Sequence, residues 1–131
     1  MSGVYQAVGV TNTALTVVTT SETLLAYSGA VRATFQTVRY RISAWCQILC
    51  GTNTTSLVAR LRRGNGVTGA LVAGGNLQQA AGGNTVECSI RFSEQAVGAD
   101  FADYSFTIVQ TAASANGTVN IATIEVDTVA G

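Results

Sequence analysis

The stretch "VRYRISAWCQILC", Val38 to Cys50, alternates residue by residue, and this constrains the fold more than any other feature. Val38, Tyr40, Ile42, Ala44, Cys46, Ile48 and Cys50 form one set, nearly all apolar. Arg39, Arg41, Ser43, Trp45, Gln47 and Leu49 form the other. Successive side chains of a strand point to opposite faces, so a period of two marks a strand with one face on a core. The second set is unusual for a face turned to water. It begins with two arginines and then carries a tryptophan and a leucine, which points to a cover over that face.

The same period recurs along the chain. Thr13 to Thr20, rich in threonine and valine, reads as a first strand and Glu22 to Gly29 as a short second one. Ala33 to Cys50 is the longest. Ser56 to Arg63 places Leu57, Ala59 and Leu61 opposite Val58, Arg60 and Arg62. Ala70 to Gly74 is short and apolar, and Gly75 to Asn84 reads as a long, exposed, glycine-rich connection. In Thr85 to Glu94, Val86, Cys88, Ile90 and Phe92 point one way and Glu87, Ser89 and Arg91 the other. Tyr104 to Ala113 and Thr118 to Val129 complete the set, with Asn116-Gly117 between them giving a hairpin signal. About eight short strands and no helical period specify an all-β fold: a single-domain antiparallel jelly-roll sandwich with no significant helix. Residues 1–12 read as a flexible N-terminal arm and 13–131 as the sandwich domain.

Composition narrows the partners. The 131 residues suit one domain with a real core. Charged residues are 11% of the chain, against roughly 25% in an average soluble protein. The net charge is zero, which argues against nucleic acid as a partner, because no basic excess is present to displace counterions. Low charge without a net sign favours association. All seven basic residues are arginine, the cation that tolerates partial burial in interfaces better than lysine. "MSGVYQAVGV" lacks the basic start and apolar run of a secretion signal, and no apolar run approaches the ~18 residues of a membrane span. These features lead to the expectation of a chain made in the cytoplasm, with no membrane partner. Cys46, Cys50 and Cys88 are too few for a disulfide framework. Cys46 and Cys50 share the apolar set, lie roughly 13 Å apart on a strand, and read as small buried hydrophobes.

Little in the sequence suits catalysis. Histidine and lysine are both absent, so a hydroxyl or thiol nucleophile has no such base beside it. Glu94, Asp100 and Asp103 gather around one loop, but their spacing matches no calcium motif and reads as a solvated loop or as partners for arginines. "RRGNGVTG", Arg62 to Gly69, lacks the Lys-Ser/Thr ending and helix of a phosphate loop. A turn with two residues at positive φ explains its glycines. The expectation is no enzyme, no cofactor and no metal.

The threonine-rich "TVVTTSETLLA", the arginine-bearing long strand, "VARLRRGNGVTG", "YSFTIVQTAA" and the closing "GTVNIATIEV" together resemble the small trimeric jelly-roll proteins of tailed bacteriophages. Those proteins are similar to the tumour-necrosis-factor fold and serve as capsid decoration proteins or as tips of head and tail fibres. The resemblance implies a homotrimer bound to a major capsid protein on the virion exterior. It puts Tyr40, Trp45 and Leu49 between subunits, and Arg39, Arg41, Arg62 and Arg63 in polar contacts with partner or capsid. Val4 and Tyr5 would anchor the N-terminal arm on the shell. The alternative it leaves open is a receptor- or glycan-binding fibre tip, with the glycine-rich connection as its binding surface.

Overall fold

The computed structural model describes residues 4–32, 39–79, 82–96, 101–111 and 113–129, with side chains described outside 4–6 and 74–79. The strands in chain order are β1 (Val4–Asn12), β2 (Thr16–Val18), β3 (Thr23–Tyr27), β4 (Val31–Arg32), β5 (Arg39–Leu49), β6 (Ser56–Arg63), β7 (Leu71–Gln79), β8 (Thr85–Gln95), β9 (Phe101–Ala102), β10 (Tyr104–Thr111) and β11 (Gly117–Val129). The described residues contain no helix. The first sheet runs β1-β11-β5-β8, with β2 also paired to β11, and the second runs β3-β10-β6-β7. All these pairs are antiparallel. Each sheet interleaves early strands with late ones, the strand order of a jelly roll. A short ribbon of β4 and β9 adjoins the sandwich, and in it Arg32 stacks over the Phe101 ring at 5.3 Å.

The core is built by the expected alternation. From β5 come Tyr40, Ile42, Ala44, Cys46 and Ile48, from β11 Ala122, Ile124 and Val126, from β6 Leu57, Ala59 and Leu61, and from β10 Tyr104, Phe106 and Ile108. Cys46 and Cys88 face each other directly across the β5–β8 ladder, and Cys50 is also buried; all three thiols are free. Contact with Cys88 and burial both push the Cys46 thiol up, so it stays protonated.

Strand β10 departs from alternation: every residue from Tyr104 to Gln110 is buried. The "RRGNGVTG" loop accounts for part of this. Gly64 and Gly66 take φ of 85° and 113°, as the glycine spacing predicts. The loop then folds back onto the strand, where Ser105 Oγ donates to the Gly64 carbonyl at 2.6 Å and accepts from the Gly66 N–H at 2.9 Å. Gln110 is 1% exposed, yet its amide is fully paired. Its Oε1 accepts from Gly51 N–H at 2.7 Å and Thr54 Oγ1 at 3.1 Å, and its Nε2 donates to the Val18 and Ala115 carbonyls at 3.1 and 3.3 Å.

Three expectations are corrected. Residues 4–12 do not hang free. They form β1, antiparallel to β11 from Val4↔Val129 to Asn12↔Ala122, with Val8 and Val10 packed against the core. Without a cover, the β11 edge would leave a row of unpaired backbone groups. The glycine-rich connection is shorter than Gly75 to Asn84, because β7 continues to Gln79 along β6. Asn116-Gly117 makes no hairpin, since β10 and β11 lie in different sheets. Gly117 is needed for close approach: a Cβ there would meet Gln110 Oε1 at 2.5 Å and the Leu49 carbonyl at 2.8 Å. The stretch 33–38 of the expected long strand lies outside the described residues.

Candidate functional site

The outer face of the first sheet is laid out by three ladders. On β5, Arg39, Arg41, Ser43, Trp45, Gln47 and Leu49 turn outward, opposite the buried positions between them. Their partners on β8 are Gln95, Ser93, Arg91, Ser89, Glu87 and Thr85. On β11, Asp127 faces Arg41, Glu125 faces Ser43, Thr123 faces Trp45, Ile121 faces Gln47 and Thr118 faces Leu49. Val17 of β2 extends the last of these rows, being the partner of Thr118. The face is therefore graded. It is charged at one end, while at the other it gathers partly exposed Ile121 with Leu49 and Val17, each 47% exposed. Trp45 lies between, partly exposed, flanked across the ladders by the small residues Ser89 and Thr123.

The expected interface residues divide. Trp45 and Leu49 lie on this face. Tyr40 does not: it is 2% exposed inside the sandwich, its ring edge-on to Tyr104 at 6.1 Å, because its parity on β5 is the inward one. The arginines form no single patch. Arg39 donates to Ser93 Oγ at 3.1 Å and Arg41 to Asp127 Oδ2 at 3.3 Å, both on the outer face. The Arg41–Asp127 pair is 55% and 32% exposed, so water and salt weaken it. Arg62 sits on the other sheet with its guanidinium engaged inside the chain, which corrects its placement as a partner contact. It donates to both Glu22 oxygens and to the Gly69 carbonyl at 2.8 Å. Arg63 lies at the end of β6 and reaches across to Glu94 of the first sheet with a two-pronged bond of 3.0 and 2.8 Å. The side chains of Val4 and Tyr5 lie outside the described residues.

Glu22 is the hub that sequence reasoning missed. It also accepts from Arg60 at 2.6 Å and from Thr107 Oγ1 at 2.8 Å. The Arg62 hydrogen bond, outweighing the opposing effect of burial, holds its carboxyl at about pKa 2. A signal existed: Glu22 is the only acid before Glu87, so Arg60, Arg62 and Arg63 sit in an otherwise acid-free stretch. The acidic loop answers to the expectation of arginine partners at one of its three positions. Glu94 holds Arg63, and Asp103 accepts from Tyr27 Oη at 2.6 Å. Asp100 lies outside the described residues. Among the described residues no group of three or more histidines, cysteines or acids gathers as a metal site.

No family model matches the chain, and no curated protein matches it. Solved structures do. A chain from the disulfide-linked pili of Bacillus endospore appendages is 17% identical, with 96% of this chain and 93% of that one covered and a TM-score of 0.42. A chain from the structure of infectious bursal disease virus Gx strain is 9% identical with a TM-score of 0.55. That match covers 94% of this chain and 32% of the viral one, so the present chain spans about a third of its length. At such identities the likeness is one of fold: an antiparallel β-sandwich also found within that virus structure.

Proposed function

We propose that this chain is a structural component of an assembled particle, a bacteriophage capsid decoration protein, and that it makes and breaks no bonds. In this reading it associates as a homotrimer, packs the outer face of the first sheet between copies, and sits on the major capsid protein at the exterior of the assembled head. One observation carries the reading: in the single chain, Trp45, Leu49, Ile121 and Val17 share a sheet face that no third layer covers among the described residues. Aromatic and aliphatic side chains ringed by polar ones are the makings of an interface centre. The resemblance to trimeric phage jelly rolls supplies the particle. Three footprints on one rigid trimer bind with an avidity that a single footprint lacks. Because a decorator binds the assembled shell and not its free parts, it stabilises the shell by mass action.

The test mixes purified protein with heads assembled without it and images them by electron cryomicroscopy. Ordered density at symmetric positions all over the shell is the expected result. Absence of binding to heads, with binding to host-surface glycans instead, overturns decoration in favour of the fibre-tip alternative.

A further inference from the structure

Almost every described charge is used within the chain. Arg32 stacks on Phe101, Arg39 bonds Ser93, Arg41 bonds Asp127, Arg60 and Arg62 share Glu22, and Arg63 takes Glu94. Arg91 and Glu125 are the exceptions: both are exposed, and neither has a hydrogen-bond or ion-pair partner among the described residues. Their positions are related. Both are ladder partners of Ser43, Arg91 one strand to one side on β8 and Glu125 one strand to the other side on β11. The unused cation and the unused anion thus lie at one level of the outer face, on opposite flanks of β5.

We propose that this face docks on the same face of a second copy, about an axis running along the strands, with Glu125 of one copy meeting Arg91 of the next. The proposal rests on the self-association read above and names the contact that fixes its register. Rotation about an axis parallel to the strands preserves height along them. It also brings the left flank of one copy to the right flank of its neighbour, whether two copies meet face to face or three surround an axis. Opposite charges at equal height on opposite flanks are what such a rotation pairs. Trp45 lies two residues further along β5, about 7 Å away by strand rise, where Ser89 and Thr123 leave room beside its ring. A small anionic ligand would answer Arg91 and leave Glu125 unmatched, and a cationic one the reverse. Further copies of the chain answer both, a single partner where two copies lie face to face and one neighbour on each flank where three surround an axis.

Sedimentation of Arg91→Glu and Glu125→Arg beside the wild type tests this. Like charges brought together across an interface oppose association, so each single variant should raise the dissociation constant by at least about tenfold. In a ring of three, an equimolar mixture of the two should recover part of the loss, because a mixed trimer pairs opposite charges at two of its three contacts and like charges at the third, whereas the double variant Arg91→Glu/Glu125→Arg restores all three. Arg91→Gln and Glu125→Gln, which reverse no charge, should weaken association less, and near-ultraviolet circular dichroism confirms that every variant is folded. Wild-type association unaffected by either reversal overturns the contact while leaving the trimer standing. Full rescue by the double variant with no recovery at all on mixing assigns the pair to one chain and also overturns it. A wild type that stays monomeric at every concentration removes the self-association reading and this contact with it.

Discussion

A single carboxylate organises the outer face of the second sheet. Arg60 and Arg62 stand two apart on β6, on the same side, and would repel one another without Glu22 between them. Glu22 is 14% exposed, so its ion pairs with the two arginines work in a poorer dielectric than a surface pair. Its folded pKa of about 2 lies below the ordinary 4.5, so the folded state binds this proton less readily than the unfolded chain. The stability it contributes is therefore complete above about pH 4.5 and lost as pH falls towards 2. Glu22→Gln should cost on the order of 2 kcal/mol at neutral pH, the shift itself setting a ceiling of about 3 kcal/mol. In urea titrations from pH 7 down to pH 2, the gap between wild type and variant should close across that acid window. A gap that stays constant would mean that Glu22 acts through shape and not through charge.

At the scale of elements, β1 is the strand whose contribution is most open to measurement. It covers one edge of β11, and its Val8 and Val10 lie against the core. Removing residues 1–12 should therefore cost on the order of 3 kcal/mol, from two partly buried valines and a lost ladder. Urea midpoints measure the loss, and hydrogen exchange should show faster amides on the freed side of β11. A free arm would leave both unchanged. The strand escaped notice because "VYQAVGVTN" mixes alanine, glycine and polar residues, so its inward valines stand out weakly. The run across Gly74-Gly75 in β7 escaped for a related reason, since glycine has no side chain to reveal a period. By contrast β5, β6, β8, β10 and β11 were legible because large apolar side chains alternate along them. The site was legible to the same depth. Trp45 and Leu49 declared themselves by parity on one strand. Glu22 gripping Arg62, and Arg91 standing level with Glu125, depend on which strands become neighbours, and no local pattern carries that information.

Strand neighbours also set how the whole molecule reaches its fold. Among the described strands, β6 and β7 are the one pair adjacent both in sequence and in a sheet. Every other ladder joins distant segments, at the extreme β1 with β11. Each such ladder requires a long loop to close before its contacts repay the lost entropy, which places folding in the range of roughly milliseconds to seconds. The chain also contains no proline, so the slow isomerisation phase of tens of seconds has no source. Its lone tryptophan provides the probe. Trp45 lies on β5 between β8 and β11, so its emission responds only when strands from the middle and the end of the chain have met. Stopped-flow refolding, at dilutions where copies do not associate, should recover the full Trp45 signal within seconds, with no later phase from isomerising bonds. Recovery within microseconds would mean that Trp45 is ordered by β5 alone. A phase lasting minutes in dilute solution would point to a misplaced early strand, with β2 taking the position on β11 that belongs to β1, since both pair with that strand.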